Sequence, residues 1–343
     1  MRDEFPEYYG PDQSEVVALY READIILDAN ILLGLYRRDT AQREEIFDVL
    51  ERVHDRLCVP HQAAREYQEN RLNTIKIVTS FLRRLRKTIS DAYEEGVKQV
   101  RAQSSLRDFK ESLESLLQKS AEEADTAIDR LAKQYGVPPA TLTSDDLRDR
   151  LDALLHGRVG SAPSDEVLGR RLDEARRRAD AGIPPGYADR AKSGDHGYGD
   201  YLLWAEVLER AGGRDVPVIF VTDDSKEDWW IIVEGLCLGP RIELVREFTA
   251  VCERRYHQVR LDTFLRQART ALNIPVSEET LRDSSRVYWQ WMTATQSPVQ
   301  AKDPTSAHYD SVVERMPWPW LEHGPGQSAD SPDSPASPQD GEA

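Results

Sequence analysis

Short apolar runs alternate with amphipathic stretches near both ends of the chain's first 275 residues, whereas amphipathic stretches alone fill its middle. Residues 14–20 read as a short helix, and Ala23-Asp24-Ile25-Ile26-Leu27-Asp28 reads as a strand. Residues 43–53 put Ile46, Phe47, Val49, Leu50 and Val53 on one helical face. Leu57-Cys58-Val59-Pro60 reads as a second strand closed by proline, followed by helix over 61–72. After residue 183 the alternation returns: helix from Asp200, strand over 216–222, helix over 242–252, strand over 256–260 and helix over 262–272. Strands alternating with helices predict an α/β fold with a mostly parallel sheet.

From about residue 75 to 180 almost no strand signal appears. Ile75, Val78, Phe81, Leu82 and Leu85 repeat at helical spacing, as do Leu106, Phe109, Leu113, Leu116 and Leu117. Leu147, Leu151, Leu154 and Leu155 form a third stripe, with Thr143 and Asp146 as its N-cap pair. Packed helical hairpins are the simpler reading, and a longer coiled-coil arm is the alternative. The expected organisation is a first α/β part over 1–75, a helical insertion over 76–182, a second α/β part over 183–275, and a C-terminal helix with a tail over 276–343. Residues 324–343 carry four acids and no Lys or Arg, a composition that predicts disorder. Met316-Pro317-Trp318-Pro319-Trp320-Leu321 is an apolar island in that tail, a docking motif for this chain or for a partner.

The chain has 343 residues, 31% of them charged, and a formal net charge of −16. That balance argues against broad adhesion to nucleic acid but leaves room for a local basic groove. Cys58, Cys237 and Cys252 are scattered and form no Cys-x-x-Cys pair, so neither a disulfide framework nor a structural zinc site is implied. No apolar run approaches the roughly 20 residues that span a bilayer. The N-terminus shows no signal-peptide pattern, and a cytoplasmic location is expected.

Chemistry concentrates where strands end. Asp28 and Asn30 close the first strand; Thr222, Asp223, Asp224 and Asp228 follow the strand over 216–222. Glu66 lies on the helix after the second strand, and Asp200 at a helix start. In a parallel sheet these positions reach one C-terminal edge. Acids gathered there repel one another unless a cation is present. Mg²⁺ or Mn²⁺, which take oxygen ligands, suit such a set. Blander roles exist for each: Asp200 as an N-cap, Glu66 on a solvated face, Asp228 as a structural acid, and Trp229 and Trp230 as core. His61 and His196 lack metal-ligand spacing.

These pieces resemble the PIN-domain nucleases, and within them the PIN-like group with a helical insertion. The matching segments are Ile26-Leu27-Asp28-Ala29-Asn30-Ile31-Leu32-Leu33, Val59-Pro60 with Glu66, and Pro184-Pro185-Gly186-Tyr187-Ala188-Asp189-Arg190-Ala191-Lys192. Tyr198-Gly199-Asp200-Tyr201-Leu202-Leu203-Trp204 and residues 220–230 complete the set. The resemblance covers about residues 20–75 and 183–270. It implies a three-layer α/β/α fold whose central, mostly parallel sheet is interrupted by a large all-α insertion. It also implies Mg²⁺ or Mn²⁺ held by Asp28, Glu66, Asp200 and Asp224, with Asp223 as rival to Asp224 and Asp228 as ligand or support. Asn30 and Thr222 would accompany the ligands. Asp189 and Lys192 would form an additional pair, with Lys192 on the scissile phosphate. Ala29 stands where many members carry Thr or Ser, which removes a hydroxyl near the metal.

The implied activity is hydrolysis of phosphodiester bonds in RNA or single-stranded nucleic acid. Basic clusters at Arg83, Arg84, Arg86 and Lys87, and at Arg170, Arg171, Arg176, Arg177 and Arg178, are placed for backbone phosphates, although acids such as Asp173 and Glu174 interleave with the second. An aspartyl-phosphate phosphatase is the rival enzyme class, but it would want an acid at position 30, where this chain has Asn30. The non-enzymatic alternative is a PIN-like scaffold, weak or inactive, that binds nucleic acid or protein. A homo-oligomer or a protein partner would then engage the insertion or the tail.

Overall fold

The computed structural model describes residues 1–103, 109–135, 144–190, 197–233 and 236–285. Everything beyond residue 285, including the tryptophan-containing tail, lies outside the described residues, as do Thr143, Lys192 and His196. Among the described residues no helix is long and apolar enough to cross a membrane.

A four-stranded parallel sheet forms the centre. Its strands are β1 (Asp24–Leu27), β2 (Leu57–Cys58), β3 (Val218–Val221) and β6 (Tyr256–Val259), in the order β2-β1-β3-β6. Every residue of β1 and β3 is buried, which means that both faces of the sheet are covered. Register decides what the sheet delivers. Leu27 pairs with Val221, and Val221 with Val259, so three strands end level. The ladder then continues for one more residue: the Asp28 amide donates to the Val221 carbonyl, and the Thr222 amide to that of Val259. Asp28 and Thr222 therefore leave the sheet side by side.

Helices cover this sheet. α1 (Gln13–Glu22), opened by a capping box at Asp12, packs on α10 (Leu261–Leu272), as does α3 (Thr40–Arg52). α8 (Gly199–Arg214) packs against α7 (Asp165–Ala181) and α9 (Ile242–Val251). The short α2 (Ala29–Gly34) starts directly on Asp28. The fold class expected from the alternating pattern, α/β/α around a mostly parallel sheet with a large helical segment, is what the chain adopts.

Several elements differ from the pattern reading. The helix expected over 61–72 runs on as α4 (His61–Ala102), 42 residues without a break. α5 (Lys110–Tyr135) packs back along it, close enough that a Cβ on Gly96 would meet the Leu117 side chain at 3.3 Å. The third stripe forms α6 (Asp146–Leu154), but its N-cap is Asp145, whose side chain accepts from the Arg148 amide. Asp145 does more than cap. It is buried with Arg71 and with the Tyr36 hydroxyl, which in turn meets Tyr67. A hairpin, β4 (Trp230–Val233) with β5 (Leu236–Pro240), escaped the pattern because a bulge between Ile231 and Ile232 breaks its alternation. Packing also continues past residue 276, since Thr280, Leu281 and Ser284 are buried.

His257 in β6 reports on this packing. Burial pushes its imidazole down from 6.5 to about 4, against the bond its Nε2 makes with Gln267. As pH falls, the unfolded chain therefore takes up the proton before the folded one does. Stability tied to the neutral ring is complete above pH 6.5 and is lost as pH falls towards 4. Urea unfolding should show the stability advantage of wild type over His257→Gln shrinking by about 2 kcal/mol between pH 7 and 4.5.

Candidate metal centre

Asp28 is the hub of the sheet's C-terminal edge. Its Oδ1 accepts the Ala29 amide at 2.6 Å. Its Oδ2 accepts the Asn30 amide group at 2.5 Å and the Thr222 hydroxyl at 2.6 Å. The Thr222 oxygen also accepts the Asp224 amide at 3.0 Å, and the Asn30 Oδ1 accepts the Asp223 amide at 2.9 Å. One threonine and one asparagine thus lock the ends of β1 and β3 to each other. The Thr222 and Asn30 positions singled out in the sequence are the structural partners of Asp28.

Three donors on one carboxylate would normally hold its pKa low. Here burial comes first, and then the charges of Glu66, Asp224 and Asp200, and together they push Asp28 up to about 8. Glu66 and Asp200 are raised as well, both chiefly by burial. Glu66 reaches the cluster from the second turn of α4, with Oε1 held by the Gln62 side chain at 2.6 Å. Gly199, at the start of α8, makes room for it: a Cβ there would lie 2.5 Å from that same Oε1. Asp200 follows in the next position of α8.

Asp223 and Asp224 part company. Asp223 turns to the start of α10, where Oδ1 accepts the Leu261 amide at 3.0 Å. Arg260 and Arg38 are the basic groups that act on it. Asp224 turns into the acid cluster instead. Asp228 is fully buried, and its Oδ2 accepts the Gly186 and Ala188 amides at 2.8 and 3.0 Å. It pins the loop that carries Asp189. Trp229 and Trp230 are core, with Trp229 packed on Phe220 and Trp204 and the Trp230 indole donating to the Asp224 carbonyl.

The residue that sequence reasoning passed over is Lys226. Its ammonium lies 2.6 Å from Asp200, 2.9 Å from Asp224 and 2.9 Å from Asp189. Burial opposes its charge, but the three carboxylates outweigh burial and hold the ammonium firmly protonated. A signal was present: Lys226 is the single basic residue between Thr222 and Trp230, inside the densest run of acids. Gln62 and Gly199 gave no comparable signal, because their value depends on where Glu66 ends up.

Most residues of the basic clusters are already paired with acids. Arg86 bridges Asp125 and Asp129 between α4 and α5, and Lys87 pairs with Asp91. Arg170, Arg176 and Arg177 pair with acids on their own helix, while Arg171 meets Glu206 and Glu209, and Arg178 meets Glu247.

Among the described residues no three His, Cys or acidic side chains form a ready-made metal cage. The acids that would supply one converge on an ammonium. The cluster nevertheless fits a hard divalent ion on two counts. Its donors are carboxylate oxygens, and a cation already stands among three of them. Asp189, Asp200, Asp224 and Lys226 keep 10–22% of their side-chain surface exposed, enough for solvent ions to reach them.

A level-ended parallel sheet with acids from four separate segments at its C-terminal edge defines the class: an α/β protein with a strand-end acidic cleft. Within that class the chain belongs to the PIN-like domain family, whose model matches residues 24–244. No curated protein and no solved structure matches it.

Gly199→Ala separates stability from the site. Gly199, the first residue of α8, has no positive φ that alanine would strain, and the atom an alanine Cβ would strike is the mobile end of Glu66. Thermal melting should therefore show little loss of stability, while calorimetric titration with Mn²⁺ should show weakened binding. A large fall in melting temperature with unchanged Mn²⁺ affinity would contradict this geometry.

Proposed function

We propose that the chain is a metal-dependent nuclease that hydrolyses phosphodiester bonds in RNA or single-stranded nucleic acid. The observation that carries this reading is the convergence of Asp28, Glu66, Asp200 and Asp224 at the sheet edge of a PIN-like domain, a type of domain found in a superfamily of nucleases. Asp28, Glu66, Asp200 and Asp224 would hold Mg²⁺ or Mn²⁺. When bound, such an ion activates water and stabilises charge on phosphoryl oxygens.

The chain's own residues prepare that site. Thr222 and Asn30 orient Asp28 through the bonds that lock β1 to β3. Gln62 orients Glu66. Asp228 sets the loop from which Asp189 reaches Lys226. We assign Asp223 to the start of α10, Asp228 to loop support, and Asp224 as the metal-binding acid of that segment; the bonds of Asp223 to Leu261 and of Asp228 to Ala188 support this. Lys192 is assigned to the scissile phosphate on the motif alone. The substrate preference follows from shape and charge. With a net charge of −16 and arginine clusters mostly paired with acids, the chain is unsuited to a broad duplex footprint. The helix that carries Glu66 extends directly into the α4–α5 arm, so a flexible strand crossing the acids would also meet the arm.

Labelled single-stranded RNA, single-stranded DNA and duplexes, incubated with Mn²⁺, Mg²⁺ or EDTA, test the proposal. Cleavage of single strands should require the ion and disappear in Asp28→Asn. Thr222→Val, which removes only the hydroxyl that orients Asp28, should lower the rate about 10–100-fold. Cleavage that persists in EDTA and in Asp28→Asn sinks the mechanism. Tight, metal-independent binding without cleavage identifies a scaffold instead.

A further inference from the structure

We propose that Lys226 takes one of the two cation positions of the acid cluster, so that the chain binds one divalent ion, on the Asp28 and Glu66 side, rather than a pair. This rests on the metal-dependent reading above and sharpens it.

An ammonium has three donors and no acceptor. Here it donates to Asp200 at 2.6 Å and lies in ion-pair contact with Asp189 and Asp224, each at 2.9 Å. It therefore sets one positive charge against the carboxylates of Asp189, Asp200 and Asp224 together. Two-ion phosphoryl-transfer sites hold their ions about 4 Å apart, and carboxylates bridge or flank both positions. In this chain Asp200 and Asp224, the acids such a second ion would need, are already engaged by Lys226. Asp28 and Glu66 bond to neutral donors instead, namely Thr222, Asn30, the Ala29 amide and Gln62.

The lysine is also anchored. Its amide donates to Asp224 Oδ1 at 2.9 Å, and its carbonyl accepts the amides of Trp229 and Trp230 at 3.1 and 3.2 Å. Both tryptophans are core residues. The backbone of Lys226 is thus rooted in the hydrophobic interior while its head group enters the cleft. This is the placement of a permanent charge rather than of a surface lysine that happens to lie nearby. It supplies the cleft with a fixed positive charge that stays present when the divalent ion leaves.

Counting bound Mn²⁺ on the full chain, by electron paramagnetic resonance and by calorimetric titration, tests this directly. Wild type should bind one ion per chain. Lys226→Met should bind two, and in EDTA it should melt below wild type, with Mn²⁺ restoring the difference. Lys226→Arg, which keeps the charge, should still bind one. Wild-type binding of two ions overturns the assignment of Lys226 and leaves the nuclease reading standing, and it needs no variant to be seen. An unchanged count and unchanged melting in Lys226→Met overturn the assignment as well. If neither protein binds Mn²⁺, the metal-dependent reading falls together with it.

Discussion

Like charges gathered at the end of a buried sheet impose the constraint to which the rest of this structure responds. Asp28 and Thr222 emerge side by side because β1, β3 and β6 end level. Once Asp28 is fixed there, burial and the charges of Glu66, Asp224 and Asp200 all act against its ionised form. Two devices answer that repulsion. Thr222, Asn30 and the Ala29 amide direct donors at Asp28, and Lys226 places a full positive charge among Asp189, Asp200 and Asp224. The acids are drawn from segments far apart in sequence, so no local structure could have assembled them.

The helical segment is tied into this arrangement. α4 carries Glu66 in its second turn and then continues as the first half of the arm. Where it leaves the body, Arg71 and Tyr67 on α4 meet Asp145 and Tyr36 in a buried polar network. Such a network fixes geometry because each buried group is expensive to leave unpaired. Glu247 ties the other side, accepting from Arg178 on α7 and the Trp204 indole on α8. The arm and the surrounding helices are therefore joined through buried polar side chains other than the four clustered acids.

Much of this was legible in the sequence, and for identifiable reasons. The strands at 24–27 and 218–221 are short, mostly apolar runs buried throughout, and helices at 242–251 and 261–272 carry clear stripes. Asp28 stood out because an acid that closes an apolar strand needs partners. Trp229 and Trp230 read correctly as core from their neighbourhood. The 42-residue length of α4 was obscured because its fully buried residues stop at Ile75, and the arm half leaves its apolar stripe only partly covered. The β4–β5 hairpin was hidden by its bulge.

Sequence alone determined the α/β character, the family segments and the set of acids from which a site can be built, because these depend on local periodicity and residue type. Tertiary structure alone decided how those acids divide. Asp224 turns inward while its neighbour Asp223 turns to the start of α10, and Asp228 holds a loop, although all three lie within six residues. It also decided that Lys226 enters the cluster and that Gly199 makes room for Glu66. Those choices depend on strand register and on through-space distances between charges, and neither is written in any single stretch of chain.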